Sequence, residues 1–389
     1  MREPEADLNM SRLVSIVERR KRISEELRNR LSSYAKARAE ADPHSRRKPR
    51  PCGMTIHTGI GCSYRCLYCY IFDMGFPGKI STYPLTPLEL AYALSLNPYI
   101  APGYTLAAYG SVTEPFAPET RKIAVEYIRE VYRWLQMPSQ VSTKSVVDEE
   151  LAKALKSAEP NLSLLITVVT LDRYRELEPG APSPSERFVG ASIAVKHGLY
   201  VSLFLRPIIP GITDREAHKI VKMAVESGIN SVVIGTLRIT PSIVSRLQSI
   251  DPAIGQEVLR RAPKQFHSIR NSRKQIAIRG EDLKRKIAAI AKDYGMKVYA
   301  SACSANIDAH NEYCYACHYG PCGNPSRAPQ FYDTDITDFL EYLGFKHISV
   351  EINDDTVSIR LSGGRETLLE IVRYILMSTV RKRIVLKFK

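Results

Sequence analysis

Between Cys69 and Cys303 the chain has no cysteine, a gap of more than half of its 389 residues. That excludes a disulfide or metal framework spread evenly along the sequence. No run of about 18 apolar residues occurs, so no membrane-spanning helix is expected. The start, Met1-Arg2-Glu3-Pro4-Glu5, lacks the apolar core of a signal peptide, and the expectation is a cytoplasmic protein. Disulfides are disfavoured there, so the eight cysteines need another use. Internal repeats and low-complexity stretches are absent too.

What is present is ordinary in bulk: 44% hydrophobic and 25% charged residues, enough for one large α/β domain with appendages or for two domains. Lys and Arg number 55 against 41 Asp and Glu, giving +14 and a pI near 9.3. This favours a polyanionic partner such as nucleic acid, or simply reflects a charge-rich solvated surface. The cysteines fall as Cys52, then Cys62, Cys66 and Cys69, then Cys303, Cys314, Cys317 and Cys322. Two metal sites would account for seven of the eight.

The first group, Gly61-Cys62-Ser63-Tyr64-Arg65-Cys66-Leu67-Tyr68-Cys69-Tyr70, has the spacing Cys-x3-Cys-x2-Cys directly after an expected strand. A [4Fe–4S] cluster normally takes four thiolates, so three leave one iron open to a small molecule. Structural zinc is closed by four ligands, and catalytic zinc usually adds histidine or carboxylate; His57 is the only histidine nearby. With Tyr68 just before the third cysteine, the motif resembles the radical S-adenosylmethionine (SAM) superfamily, in which the open iron chelates the amino and carboxylate groups of SAM.

Strands are expected at Met54–His57, Tyr104–Tyr109, Gln140–Thr143, Ser163–Val169, Tyr200–Leu205 and Ser231–Gly235, with helices over 119–136, 148–158, 186–197 and 214–227. Repeated βα units imply a parallel sheet with its site at the carboxyl ends of the strands. Residues 1 to about 40 read as helix, and the segment through Arg50 carries 14 basic and 8 acidic side chains. Arg46-Arg47-Lys48-Pro49-Arg50-Pro51 forms a basic linker that either contacts phosphates or is solvated. Residues 246–300 read as mostly helical, including a basic segment from Arg260 to Lys286, before a strand at Lys297–Ala300. From Asp335 the pattern gives helix, strand 347–352, a turn, strand 356–361, helix 365–379 and strand 383–388.

Gly110-Ser111-Val112-Thr113-Glu114 follows the second strand, where radical SAM proteins generally cradle the methionine end of SAM. Gly110 permits close backbone approach, and Ser111, Thr113 or Glu114 is placed to receive the ammonium group. Ser142-Thr143-Lys144-Ser145 offers hydroxyls and a cation for the ribose and carboxylate. Glu178-Pro179-Gly180-Ala181-Pro182 and Arg206-Pro207-Ile208-Ile209-Pro210 make rigid loops after the fourth and fifth strands. Together these stretches, within about 52–240, resemble the spore photoproduct lyase-related, DNA repair photolyase-like branch. The resemblance implies an α/β fold, a partial (β/α)6 TIM-like barrel, with reductive cleavage of SAM and hydrogen abstraction by a 5′-deoxyadenosyl radical. It also implies an electron donor such as ferredoxin or flavodoxin. Tyr68, Gly110, Ser111, Thr113, Glu114, Ser142, Lys144 and Arg206 are the candidate SAM contacts. Glu178 and Arg187 are either contacts or an ion pair shaping the rim. Spore photoproduct lyases are associated with a cysteine that returns a hydrogen atom, and the gap after Cys69 has none, so thymine-dimer reversal would require tyrosines to substitute.

The second group, Cys303-x10-Cys314-x2-Cys317-x4-Cys322, lies among His310, His318, Gly320, Pro321 and Gly323. Four thiolates close a metal site, and with only one Cys-x2-Cys knuckle an auxiliary [4Fe–4S] cluster is favoured over zinc. Replacement of one cysteine by His310 or His318 would open an iron to substrate. Cys52 reads as a buried hydrophobe. The expected organisation is a basic helical extension and linker (1–51), the barrel with a helical extension (52–300), the cysteine-rich site (301–330) and a small α+β unit (331–389). The favoured function is a radical SAM enzyme acting on a macromolecule, nucleic acid ahead of peptide. A peptide- or protein-modifying enzyme with an auxiliary cluster, and a non-catalytic iron–sulfur nucleic-acid-binding protein, are the alternatives.

Overall fold

A computed structural model describes residues 11–50, 53–268 and 273–388. Met1–Glu5, Pro51 and the expectation for Cys52 lie outside the described residues.

Seven strands form one parallel sheet in sequence order: β1 (Gly53–Ile56), β2 (Leu106–Tyr109), β3 (Ser139–Thr143), β4 (Ser163–Thr167), β5 (Tyr200–Ile208), β6 (Ser231–Thr236) and β7 (Lys297–Tyr299). The strand count departs from the six expected, because Lys297–Tyr299 joins the sheet beside β6. Helix Glu281–Asp293, packed on helix Thr213–Glu226 and on β6, supplies the extra crossover. All five residues of β4 are buried, as a parallel sheet covered on both faces requires. Leu164 and Ile166 belong to the main core under the helices, whereas Leu165 and Val233 pack on Ala305. Alternation of side chains therefore puts helix Ala302–Ala309 on the other, inner face of the sheet.

The helices flanking the strands are α1 (Arg12–Arg30), α2 (Ser33–Ala41), α3 (Pro87–Leu96), α4 (Arg121–Leu135), α5 (Glu149–Ala158), α6 (Pro184–Lys196), α7 (Thr213–Glu226), α8 (Pro241–Ile250), α9 (Pro252–Arg260), α10 (Glu281–Asp293) and α11 (Ala302–Ala309). The single N-terminal helix expected is two, because Ser32 caps the second by accepting from Ala35 N–H. The basic segment after Arg260 is not helical throughout. A 3₁₀ turn at Lys264–Ser268 and a two-residue strand, Ile276–Ala277, precede α10, and Pro263 falls where a helix would have to continue. Helix α3 was not among those expected, although Thr86-Pro87-Leu88-Glu89 spells its capping box.

The C-terminal unit follows its pattern: α12 (Asp333–Tyr342), β8 (Lys346–Ile352), antiparallel β9 (Thr356–Ser362), α13 (Leu369–Thr379) and β10 (Arg383–Phe388), parallel to β9. Its core includes Leu13, Val14, Ile16 and Val17 of α1, while Ile23 and Leu27 of the same helix join the barrel core. Helix α1 is thus a strut between two cores, and its apolar stripe is buried. Among the described residues no helix is long and apolar enough to cross a membrane.

Candidate active site at the carboxyl ends of the strands

The cysteine loop leaves the carboxyl end of β1 and is fastened from four sides. Gly61 sits at φ +83°, and a Cβ there would lie 2.4 Å from Lys79 O and 2.5 Å from Pro77 O. Only glycine meets both conditions. Cys62 N–H donates to Pro77 O at 3.1 Å, and Leu67 N–H to Leu177 O at 2.9 Å. Gly180 of the Glu-Pro-Gly-Ala-Pro loop donates to Tyr64 O at 3.1 Å, so close that a Cβ would stand 2.5 Å from Ser63 O. Arg246 of α8 donates to Leu67 O (2.8 Å) and Cys69 O (3.0 Å) and pairs with Asp73 at 2.9 Å. Arg246 was not a sequence candidate. The available signal is a charge three residues after Ile243, beside the stripe that buries Val244 and Leu247.

Cys66 is buried, and Cys62 and Cys69 are half-buried. Burial pushes the Cys66 thiol up to about 12, against the opposing cation of Lys144. Cys62 and Cys69 are raised as well, chiefly by burial. The Lys144 ammonium lies 5.5 Å from the centre of the Tyr68 ring. Burial disfavours its charge, but the neighbouring Cys66 and Glu178 outweigh that and raise its pKa.

The other candidates divide into braces and open groups. Glu114 is buried and already accepts from Thr143 Oγ1, Ser145 Oγ (3.1 Å), Lys144 N–H (2.9 Å) and Phe116 N–H (3.3 Å). It clasps the loops after β2 and β3 together, leaving its carboxylate little capacity for an ammonium. Thr113 Oγ1 donates to Gly61 O at 2.8 Å, which ties the same loop to the cysteines. The Tyr68 hydroxyl donates to Glu178 and is equally committed. Glu178 and Arg187 are the ion pair, not exposed contacts: both side chains are fully buried. Gly110, at φ +89°, passes so close to Ser142 that a Cβ would be 2.2 Å from Ser142 O. The Ser142 hydroxyl makes only 3.4 Å contacts to Tyr109 O and Gly110 O, and Ser111 O accepts from Tyr70 OH at 3.3 Å. Arg206, on β5, is exposed and lies flat over Gly235, where a Cβ would stand 2.6 Å from its Cδ.

In the second group, Cys314 and Cys322 face each other across a two-residue antiparallel ladder. Cys303 stands in the first turn of α11. Ser301 Oγ lies 3.1 Å from Cys303 Sγ and 2.9 Å from Ser304 Oγ, which lies 3.2 Å from Cys322 Sγ. Cys317 is within electrostatic reach of Cys314 and Cys322, whose thiols are raised mainly by burial. Arg381 of the C-terminal unit accepts Tyr315 N–H on its carbonyl (2.6 Å) and pairs with Glu312 at 2.8 Å, bracing the segment. His310 is taken: Nε2 meets Glu159 at 2.8 Å and Nδ1 the Asn306 carbonyl at 2.9 Å. His318 stacks on Tyr319 at 4.0 Å. Among the described residues no three His, Cys, Asp or Glu side chains are gathered into a geometry that holds a metal ion. A cluster is matched instead by donor chemistry. Each site offers thiols, and the carboxylates beside the first, Glu114, Glu178 and Asp73, are already bonded.

Residues 56–224 match the radical SAM superfamily. In three dimensions the chain is similar to a spore photoproduct lyase mutant with bound AdoMet and dinucleoside spore photoproduct: TM-score 0.51, 15% identity, 63% of this chain and 75% of that one. A second mutant of that lyase gives 0.52 at 15% identity over 64% and 77%. A third, with dinucleoside spore photoproduct, gives 0.52 at 16% over 62% and 74%. No curated protein matches by sequence. The motif, the parallel sheet and these likenesses agree: residues 56–224 form a domain of the radical SAM superfamily, on a fold similar to that of the spore photoproduct lyases.

Proposed function

We propose that the enzyme holds its [4Fe–4S] cluster through Cys62, Cys66 and Cys69 and acts on a nucleic-acid substrate. The observation that carries the first part is the fastening of the cysteine loop at the carboxyl end of β1 by Gly61, Gly180 and Arg246, which leaves three thiols there while the neighbouring Asp73, Glu178 and Glu114 are already bonded. A [4Fe–4S] cluster held there would supply the electron, taken from a donor such as ferredoxin or flavodoxin, for reductive cleavage of SAM to methionine and a 5′-deoxyadenosyl radical.

The chain's own residues position and exclude. Lys144 offers a cation beside Cys66 for the SAM carboxylate, and Ser142 and the Gly110–Ser111 backbone offer polar contacts to its other groups. Glu114, Thr113 and the buried Glu178–Arg187 pair hold those loops still, which is what orientation of a reactive group demands. Tyr64, Tyr68 and Ile209 form an apolar wall beside Cys66 that keeps water from the site.

Nucleic acid is favoured by the +14 charge and by the dinucleoside spore photoproduct bound to a protein of the same fold. Cys303, Cys314, Cys317 and Cys322 are assigned to a second [4Fe–4S] cluster, with zinc as the lesser choice. The test is SAM cleavage under dithionite. Replacing Cys62, Cys66 and Cys69 together with alanine should abolish 5′-deoxyadenosine formation, and undiminished cleavage in that variant would remove the assignment.

A further inference from the structure

We propose that Arg65 and Lys79, on the outward side of the cysteine loop and of the turn over residues 74–79, form the surface on which a small acidic one-electron donor protein docks. The inference rests on the assignment of a cluster to Cys62, Cys66 and Cys69 and names where its electron enters.

From Cys62 to Cys69 a single residue is exposed, and it is Arg65. Its neighbours Tyr64 and Cys66 are buried, with the Tyr64 hydroxyl 2.7 Å from Ser145 Oγ on the site side. The Arg65 guanidinium lies instead against Gly78, where a Cβ would stand 3.3 Å from Nε and 3.6 Å from Nη2. That contact sets it beside Lys79, which is also exposed. Among the described residues neither side chain makes a hydrogen bond or an ion pair. Arg65 also has φ +49°, a left-handed conformation that glycine adopts more readily than any residue with a Cβ. An arginine kept at such a position, bonded directly to a cluster ligand and left without a partner, calls for a use outside the fold.

The turn is tied to both ends of the motif. Phe76 N–H donates to Ile71 O at 3.1 Å, two residues after Cys69, and Pro77 O accepts Cys62 N–H at 3.1 Å. Met74, Gly75, Pro77 and Lys79 are exposed along it. Asp73 is the one carboxylate in the sequence between Gly53 and Thr82, and Arg246 holds it at 2.9 Å. The other sides of the cysteine loop are covered, by Gly180 at Ser63 and Tyr64 and by Arg246 at Leu67 and Cys69. A partner therefore comes nearest the three thiols over Arg65. Two unpaired cations beside an exposed methionine and proline suit a small, transient redox interface with an acidic protein, steered by charge. The step is a one-electron transfer: the donor is oxidised by one electron and the centre at the three cysteines is reduced by one, with no bond made or broken.

The experiment mixes reduced flavodoxin or reduced ferredoxin anaerobically with the reconstituted protein and follows the second-order rate of cluster reduction across a salt series. The wild-type rate should fall as salt rises. Arg65→Glu with Lys79→Glu should slow it about tenfold at low salt and remove most of the salt dependence. 5′-Deoxyadenosine formed with excess dithionite should be unchanged, because a small reductant needs no docking surface. Arg65→Gly, which suits the left-handed backbone, should melt no lower than the wild type in metal-free protein and still be reduced several-fold more slowly by the donor. An unchanged donor rate in the double variant overturns the proposal, as does a wild-type rate indifferent to salt with both donors. Equal loss with donor and dithionite also overturns it, by making the two residues supports of the cluster. So does a double variant that keeps donor reduction but loses binding of a single-stranded oligonucleotide, which would give this face to nucleic acid. A wild type without a reducible cluster at Cys62, Cys66 and Cys69 removes the underlying assignment instead.

Discussion

The carboxylate of Glu178 and the guanidinium of Arg187 stand 2.5 Å apart with both side chains fully shielded from solvent. Arg187 also donates to Pro182 O (2.9 Å) and Thr167 O (3.0 Å), while Glu178 accepts the Tyr68 hydroxyl. The pair thus ties β4 and the Glu-Pro-Gly-Ala-Pro loop to the residue preceding Cys69. Burial weakens the Arg187 charge, but Glu178 more than restores it and its pKa is raised.

Breaking this pair from one side should be worse than removing both halves. Arg187→Met leaves a buried carboxylate without its cation and should cost about 3–5 kcal/mol. The double variant Glu178→Leu with Arg187→Met should recover at least half of that, because no charge remains to be desolvated. Denaturant unfolding of the two variants measures the difference. Equal losses would mean that the pair acts through packing alone.

A second buried polar group fixes an acid limit. His44 donates from Nδ1 to Asp42 at 2.7 Å and accepts the His57 N–H at 3.3 Å, while His57 Nε2 accepts from Arg47 at 2.5 Å. Arginine only donates, so that His57 nitrogen carries no proton. Burial, aided by the Arg47 and His44 charges, pushes His57 down to about 3, and burial also lowers His44. The unfolded chain therefore binds more protons than the folded one between about pH 6.5 and pH 3. This contribution is complete above pH 6.5 and is lost as the pH falls towards 3. Asp42 adds to the loss at the acid end. Burial opposes its charge, but bonds from His44 and Tyr83 prevail, and its pKa is lowered. The wild type should lose on the order of 2 kcal/mol on this account between pH 7 and pH 4.5. His57→Gln should show a visibly flatter dependence of melting temperature on pH. The comparison belongs in metal-free protein, where acid release of a cluster does not intrude.

These two groups show what the sequence could reveal. The cysteine spacing, the six βα repeats and the C-terminal α+β pattern are local signals, and the sheet and the strand-end loops follow them. Glu178 and Arg187 were visible as charges near a proline loop, but whether they faced a ligand or each other depended on the burial of both. Arg246 lies 177 residues from the Cys69 carbonyl it holds, beyond any local pattern. Glu114 was legible as a loop carboxylate beside the cofactor position, while its bonding to Thr143, Lys144 and Ser145 arises only when β2 and β3 pair. The seventh strand was legible as a strand, and its partner was not. The pairing depends on α10 folding back over α7, a tertiary contact.

The last prediction separates the two cysteine groups. Ser301 and Ser304 link Cys303 to Cys322, the ladder sets Cys322 opposite Cys314, and the three pack in one small cluster with Ile307, while Cys317 lies within electrostatic reach. His310, fixed to Glu159, is not available to replace a thiolate. Four sulfur ligands suit either a closed [4Fe–4S] cluster or zinc. Reconstituted anaerobically, the wild type should carry about eight irons per chain, the sum of two four-iron clusters. The variant lacking Cys62, Cys66 and Cys69 should keep about half of that iron, with no 5′-deoxyadenosine formed. Replacing Cys314 and Cys317 with alanine should give the complementary result, about four irons with SAM cleavage retained. If the wild type instead holds about four irons and one zinc, and the zinc follows Cys314 and Cys317, the second centre is structural and the radical chemistry proceeds at the first alone.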